Sequence, residues 1–260
     1  MFPQGFAGIE AQMWLWLLAM VRPGAAFLAA PVFGAPYVPV QLRLIVALAV
    51  GIPAAAAVPF AMPDGGLATI AGAMMVTGEV LAGLALGFAV QIGFSAALLA
   101  GETIGNAMGL GFAGMIDPAS GASSPALGQL LSILGTFLFL SMGGHLMLAA
   151  IVFESYRALP PGQGWLGAES VRGLALFGGT VFAAGLAIAL PVGFALILVQ
   201  IVMGMLSRSA PALNLFAVGL PATILAGIVL LGVGAPTMAD AITAALQRGL
   251  DYAGQIAMGR

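Results

Sequence analysis

Polar and charged positions divide this chain into long apolar blocks, at about 12–33, 41–60, 67–99, 125–152, 173–206 and 212–236. A helix of about 20 apolar residues is enough to cross a hydrocarbon core. The third and fifth blocks exceed what one upright helix requires, so each is expected to tilt, break or extend beyond the bilayer. An isolated strand in lipid leaves backbone groups unpaired, so every block is expected to be helical. The pattern therefore predicts an all-α, hydrophobic multi-helix membrane protein of about six long blocks. Pro23, Pro31, Pro53, Pro191 and Pro221 fall inside or near the ends of these blocks. Each removes a backbone donor, so several helices are expected to be kinked or broken.

Met1 to Gln12 lacks a positively charged start, so the first block is expected to be retained rather than cleaved as a signal peptide. If the blocks alternate across a membrane, Arg157, Arg172, Arg248 and Arg260 share one side, against Arg43 and Arg208. That excess leans toward a cytoplasmic C-terminus.

One segment breaks the pattern. Leu99 to Leu127 is rich in Gly, Ala, Ser and Met, with two acids and no cation. Gly101, Gly105 and Gly109 recur at helical spacing, which allows close backbone approach. Asp117-Pro118 and Gly121-Ala122-Ser123-Ser124-Pro125 are helix-stopping runs, and a nearly uncharged loop is expected there. Loops ordinarily run through water and are polar, so this one is expected to be sheltered, as inside a pore. Met108 and Met115 flank Phe112, and flexible thioethers suit either core filling or a gasket that repacks around changing shapes.

Composition then narrows the chemistry. Of 260 residues 62% are hydrophobic, and only seven cations and nine acids are present, about a quarter of the charge density of an average soluble domain. All seven cations are arginines. Without lysine there is no P-loop and no Schiff base; without cysteine there is no thiolate nucleophile or disulfide. A single histidine, His145, cannot supply a multi-histidine metal site. With a net charge of −2 and no basic cluster, a nucleic-acid footprint is absent. No catalytic, cofactor-binding or metal-binding residues are expected, and the chain is read as a non-enzyme. Arg22 lies inside the first block, where an unpaired arginine costs about 2.5–3.5 kcal/mol. It is expected either to pair with an acid such as Glu79 or Glu102 or to sit away from the lipid centre. Glu79 and Glu102 are also candidates for a proton path, although Glu102 can equally mark the start of a polar turn. His145 follows Gly143-Gly144; the choices are a hydrogen-bonded packing residue or a pH-linked group. Glu154 and Arg157, three apart, are expected to form a surface pair.

These runs also carry a resemblance. Gly101-Glu102-x-x-Gly105, Met108-Gly109-Leu110-Gly111-Phe112 and Asp117-Pro118-Ala119-Ser120 closely resemble the FliR family of flagellar biosynthetic proteins. So do Gly144-His145-Leu146 with Leu159-Pro160, and the run from Met203 through Ser207-Arg208-Ser209-Ala210-Pro211 to Leu213-Asn214-Leu215-Phe216 and Gly219-Leu220-Pro221. Arg22, Pro31-Val32-Phe33-Gly34 and Arg43 complete the pattern, in order, over about residues 13–235. Residues 237–260 are expected to form a C-terminal tail without a motif, within one domain covering 1–260.

The resemblance implies a pore-forming, structural subunit of the flagellar type III export gate in the bacterial inner membrane, at the flagellar basal body. It implies assembly with FliP and FliQ into a helical gate beside FlhB and FlhA, membrane lipid around it, and unfolded flagellar proteins as the exported cargo. It assigns the channel plug to Met108, Gly109, Gly111, Phe112, Met115, Asp117 and Pro118. It also implies that several blocks pack on partner helices rather than in lipid. Arg208, in the third motif, joins Arg22, Glu79, Glu102 and His145 as a candidate for helix packing or buried charge. Ala107 and Ala212 stand where the family commonly has glutamine, and Gly143 where it commonly has asparagine. The alternative reading is a polytopic secondary solute transporter, although no inverted repeat is evident.

Overall fold

The structure is a computed structural model and describes residues 7–63, 66–111, 126–162, 167–209 and 215–259. Every regular element among them is a helix. In chain order they are α1 (Ala7–Ala29), α2 (Val40–Ala57), α3 (Ile70–Ala107), α4 (Ala126–Ser141), α5 (Gly144–Ala158), α6 (Ala168–Gly178), α7 (Thr180–Ser209) and α8 (Leu215–Ala257). Thr69 directly precedes α3, and its hydroxyl accepts a hydrogen bond from the Gly72 amide at 3.1 Å and so satisfies one of the free donors of the first turn.

The helices depart from the expected blocks in four places. Helix α3 runs two turns past residue 99, so Glu102 lies within a helix rather than at the start of a turn. Helix propensity alone disfavours the glycines there, but Gly101 is held against α4, where a Cβ would overlap the Leu127 carbonyl. The fourth block breaks at Gly143, whose φ of 73° lies in the left-handed region that suits glycine. The sixth block continues through Pro236 to Ala257, so most of the expected tail is helix. Finally, the stretches long and apolar enough to cross a membrane are Val40–Ala57, Ile70–Ala107, Ala168–Ser209 and Val218–Ala257, with the pair α4 and α5 as a further one when taken together. Among the described residues, helix α1 is not one of them.

Two compact units divide the chain. The first comprises residues 1–92, 140–178 and 247–260. Its described core is built around α1. Glycines let neighbours approach α1 closely: a Cβ on Gly51 of α2 would overlap the Ala19 carbonyl, and Cβ atoms on Gly83 and Gly87 of α3 would overlap the carbonyls of Arg22 and Ala26. Leu18, Phe27, Leu86, Leu148 and Val152 fill the space between these backbones and are buried.

The second unit comprises residues 93–139 and 179–246. Here the last part of α3 is surrounded. Gly101 meets α4, Leu99 sits in a notch left by Gly185 of α7, and Gly93 lies against the Ala245 backbone of α8. The outward side of this unit is apolar: Phe182, Leu186, Phe194, Ile201 and Met205 on α7 and Leu225, Val229 and Val233 on α8 are exposed. A contiguous apolar face of this kind needs lipid or partner protein to cover it.

Candidate functional site

In the first unit the scarce polar groups converge on one arginine. Arg22 of α1 is only 2% exposed. Its Nε and Nη2 donate to the two carboxylate oxygens of Glu79, each at 2.8 Å, giving a bidentate pair between α1 and α3. Nη1 donates to the Ser155 hydroxyl at 3.0 Å, and Nη2 also donates to the Leu159 carbonyl at 2.7 Å. The guanidinium lies 4.1 Å from the centroid of the Tyr156 ring. Tyr156 in turn donates its hydroxyl hydrogen to the Ala19 carbonyl at 2.8 Å and stacks on Phe60. Most of the five N–H donors of an arginine are thereby satisfied without water. A buried charge pair is tolerated only where geometry and hydrogen bonding are this complete; removing one partner typically costs about 3–5 kcal/mol.

In the second unit the chemistry is that of a helix end. The amide of Gly109 donates to the Asn106 carbonyl at 3.0 Å, and the amide of Leu110 donates to the Gly105 carbonyl at 3.0 Å. Gly109 has φ 83°. These two bonds around a left-handed residue form a Schellman motif, which closes α3 and fixes the direction in which the chain leaves it. Two carbonyls that the helix end would otherwise leave free are capped from other helices. The Gln200 side-chain amide of α7 donates to the Ala107 carbonyl at 2.6 Å. The Thr223 hydroxyl of α8 lies 3.3 Å from the Met108 carbonyl and shares its hydrogen with the Leu220 carbonyl at 2.9 Å. The Met108 side chain is buried in a seat on α8, where Gly227 leaves the room: a Cβ there would press on the thioether.

The other sequence-derived candidates are scattered. Glu102 is exposed on α3, and its Cγ runs beside Gly128 in the first turn of α4. A carboxylate beside a helix start is favoured by the free amides there. Gly111 follows the turn, and a Cβ on it would come within 3.1 Å of the Asn106 side-chain oxygen. Phe112, Met115, Asp117 and Pro118 lie outside the described residues. His145 is half-buried at the start of α5, and its buried Nδ1 has no hydrogen-bond partner among the described residues. Arg208 is exposed in the last turn of α7. Glu154 and Arg157 pair on the surface at 2.8 Å. Ser155, Tyr156, Gln200 and Thr223 were not singled out in the sequence, because a lone hydroxyl or amide in an apolar run carries no spacing signal. Gly83 and Gly87 were legible as a small-x-x-x-small pair within an apolar stretch.

An all-α protein of long apolar helices, with a buried charge cluster and a capped helix end among its described residues, belongs to the class of hydrophobic multi-helix membrane proteins. The chain is a member of the family of bacterial export proteins, family 1, whose model matches residues 13–249. It is similar to flagellar biosynthetic protein FliR of Escherichia coli K12, at 32% identity over 236 residues, covering 89% of this chain and 90% of that protein. FliR of Pectobacterium carotovorum is 37% identical over 168 residues, 65% of this chain and 64% of its own. FliR of Bacillus subtilis is 28% identical over 219 residues, 83% of this chain and 84% of its own.

Proposed function

We infer that this chain is a structural, pore-forming subunit of a flagellar type III protein export gate. The observation that carries the inference is the family match over residues 13–249, together with a FliR relative aligned over 90% of its own length. The solute-transporter alternative gains no support, since the family is one of export proteins.

The finer picture extends this reading. The chain works in the bacterial inner membrane at the flagellar basal body, with FliP and FliQ as helical neighbours and FlhB and FlhA beside them. It passes unfolded flagellar proteins, and its contribution is shape rather than bond chemistry. The exposed apolar faces of α7 and α8 suit cover by partner helices. The plug is the segment that leaves α3 at Met108 and Gly109, passes Gly111 and Phe112, and includes Met115, Asp117 and Pro118. Its root is the capped turn: Met108 is seated on α8 and the carbonyls of Ala107 and Met108 are held from α7 and α8. A fixed root lets a loop open without unravelling the helix behind it.

Affinity purification of the tagged chain from detergent-solubilised membranes of its own cells tests the assembly. FliP and FliQ are expected to co-purify in a defined complex. Recovery of the chain alone, from cells in which both are expressed, contradicts this reading.

A further inference from the structure

The end of α3 is held by two separable sets of contacts. The carbonyls of Ile104, Gly105 and Asn106 accept from the amides of Met108, Leu110 and Gly109, all inside the turn itself. The next two carbonyls, of Ala107 and Met108, are reached from other helices, by Gln200 of α7 and Thr223 of α8. Gln200 is the one polar side chain between Val181 and Leu206, and Thr223 is the one between Leu215 and Pro236. Two otherwise apolar runs thus aim their single polar side chain at consecutive carbonyls of one helix end. A lone polar group in an apolar helix is costly unless it finds a partner, and so is an uncapped carbonyl.

The third outside contact is steric. Met108 is 2% exposed and fills the space that a side chain at Gly227 would need. A Cβ there would stand 2.5–2.6 Å from the Cε, Cγ and Sδ atoms of Met108. The overlap involves the whole thioether and not its tip alone, so a side chain at 227 evicts Met108. From Gln200 to the end of α7 at Ser209 is about 13 Å, and from Thr223 back to the start of α8 at Leu215 about 12 Å. The turn therefore lies alongside these two helices and not at their ends.

We propose that Gln200, Thr223 and Gly227 are positioning residues of the gate: they hold the turn that ends α3 where the resting pore is closed. This rests on the reading above, in which the segment leaving α3 is the plug. The turn is bonded within itself, so losing an outside contact shifts it as a unit and does not unwind α3. Such a shift makes the resting gate leak. A hydrogen bond of ordinary net strength biases an equilibrium about fivefold. Forcing a packed side chain out of its seat biases it about tenfold.

The test uses the purified gate complex with its partner subunits, reconstituted in liposomes of phosphatidylethanolamine and phosphatidylglycerol loaded with potassium chloride. Chloride efflux per complex is the readout. Gln200→Met keeps the length and removes the donor, and Thr223→Val keeps the shape and removes the hydroxyl. Each is expected to raise efflux over wild type about fivefold, and Gly227→Ala about tenfold. Thr223→Ser, which keeps the hydroxyl and loses the methyl, is expected to restore closure, a rescue that a packing role for Thr223 does not give. Gly232→Ala, also on α8 but facing open space, is expected to match the wild type. Gln200 is exposed, so Gln200→Met keeps the test decisive where Gly227→Ala does not assemble. Wild-type efflux from Gln200→Met and Thr223→Val, or equal efflux from Thr223→Ser and Thr223→Val, overturns the proposal. Failure of the export reading shows earlier, as no multi-subunit complex to purify; failure of this proposal shows as intact complexes that stay closed.

Discussion

At the scale of single residues, two side chains matter because each has a buried partner that cannot find a substitute. Arg22 and Glu79 neutralise one another where water does not reach, with Ser155, Leu159 and Tyr156 taking the remaining donors and the ring face. Arg22→Gln or Glu79→Gln is expected to cost about 3–5 kcal/mol, read as a lower unfolding midpoint in detergent. Replacing both by Met is expected to recover much of the loss, since an apolar pair of similar volume leaves no buried charge. If the double variant is as unstable as the singles, the pair is not the determinant. Gly109 is the second case. Its φ of 83° penalises any L side chain, so Gly109→Ala is expected to destabilise the turn by about 1–2 kcal/mol and to alter export rate or gate leakiness. Gly105 is the control: it is in ordinary helical conformation, and an added Cβ meets only loose contacts near 3.8 Å. Gly105→Ala is expected to be neutral or slightly stabilising. Equal effects at the two positions would remove the argument from backbone conformation.

Among the elements, glycine placement decides which helices pack closely. Gly83 and Gly87, one turn apart on α3, bring its backbone onto the carbonyls of α1. Gly83→Leu is expected to force α1 and α3 apart and, with them, Arg22 from Glu79. Gly254 on α8 faces open space, and Gly254→Leu is expected to leave stability within about 0.5 kcal/mol. Comparing the thermal unfolding of the two variants checks this, and a larger loss at Gly254 contradicts it. The same elements show what could be read from the chain and what could not. The apolar blocks carried the existence of the helices, because runs of this length have no other stable form in lipid. Their ends were less legible. The end of α3 depends on Gln200 and Thr223, some hundred residues away, capping its last carbonyls. The continuation of α8 beyond Pro236 had a local signal: Met238, Ile242, Leu246 and Leu250 recur every four residues and are buried. Proline inside α1, α2, α7 and α8 bends the expectation of a broken helix, since in each case the helix runs on.

For the whole molecule, the low charge count acquires a specific meaning. Of the sixteen charged side chains, two neutralise each other in the core of the first unit, and the apolar surface left on α7 and α8 is a demand for cover rather than a property of a finished molecule. Membership of the family of bacterial export proteins fits that demand, and the proposed gate assembly would meet it. The charge cluster was accessible from sequence as an arginine in need of an acid, but Ser155 and Tyr156 were not, because nothing local ties them to Arg22. The central claim is that flagellar proteins leave the cell through a gate that includes this chain. Its most direct measurement is secretion of flagellar proteins into the medium by a strain lacking this gene, with and without the gene restored on a plasmid. Secretion is expected to stop in the deletion strain, with growth otherwise unchanged, and to return on complementation; normal filament growth without the gene contradicts the account.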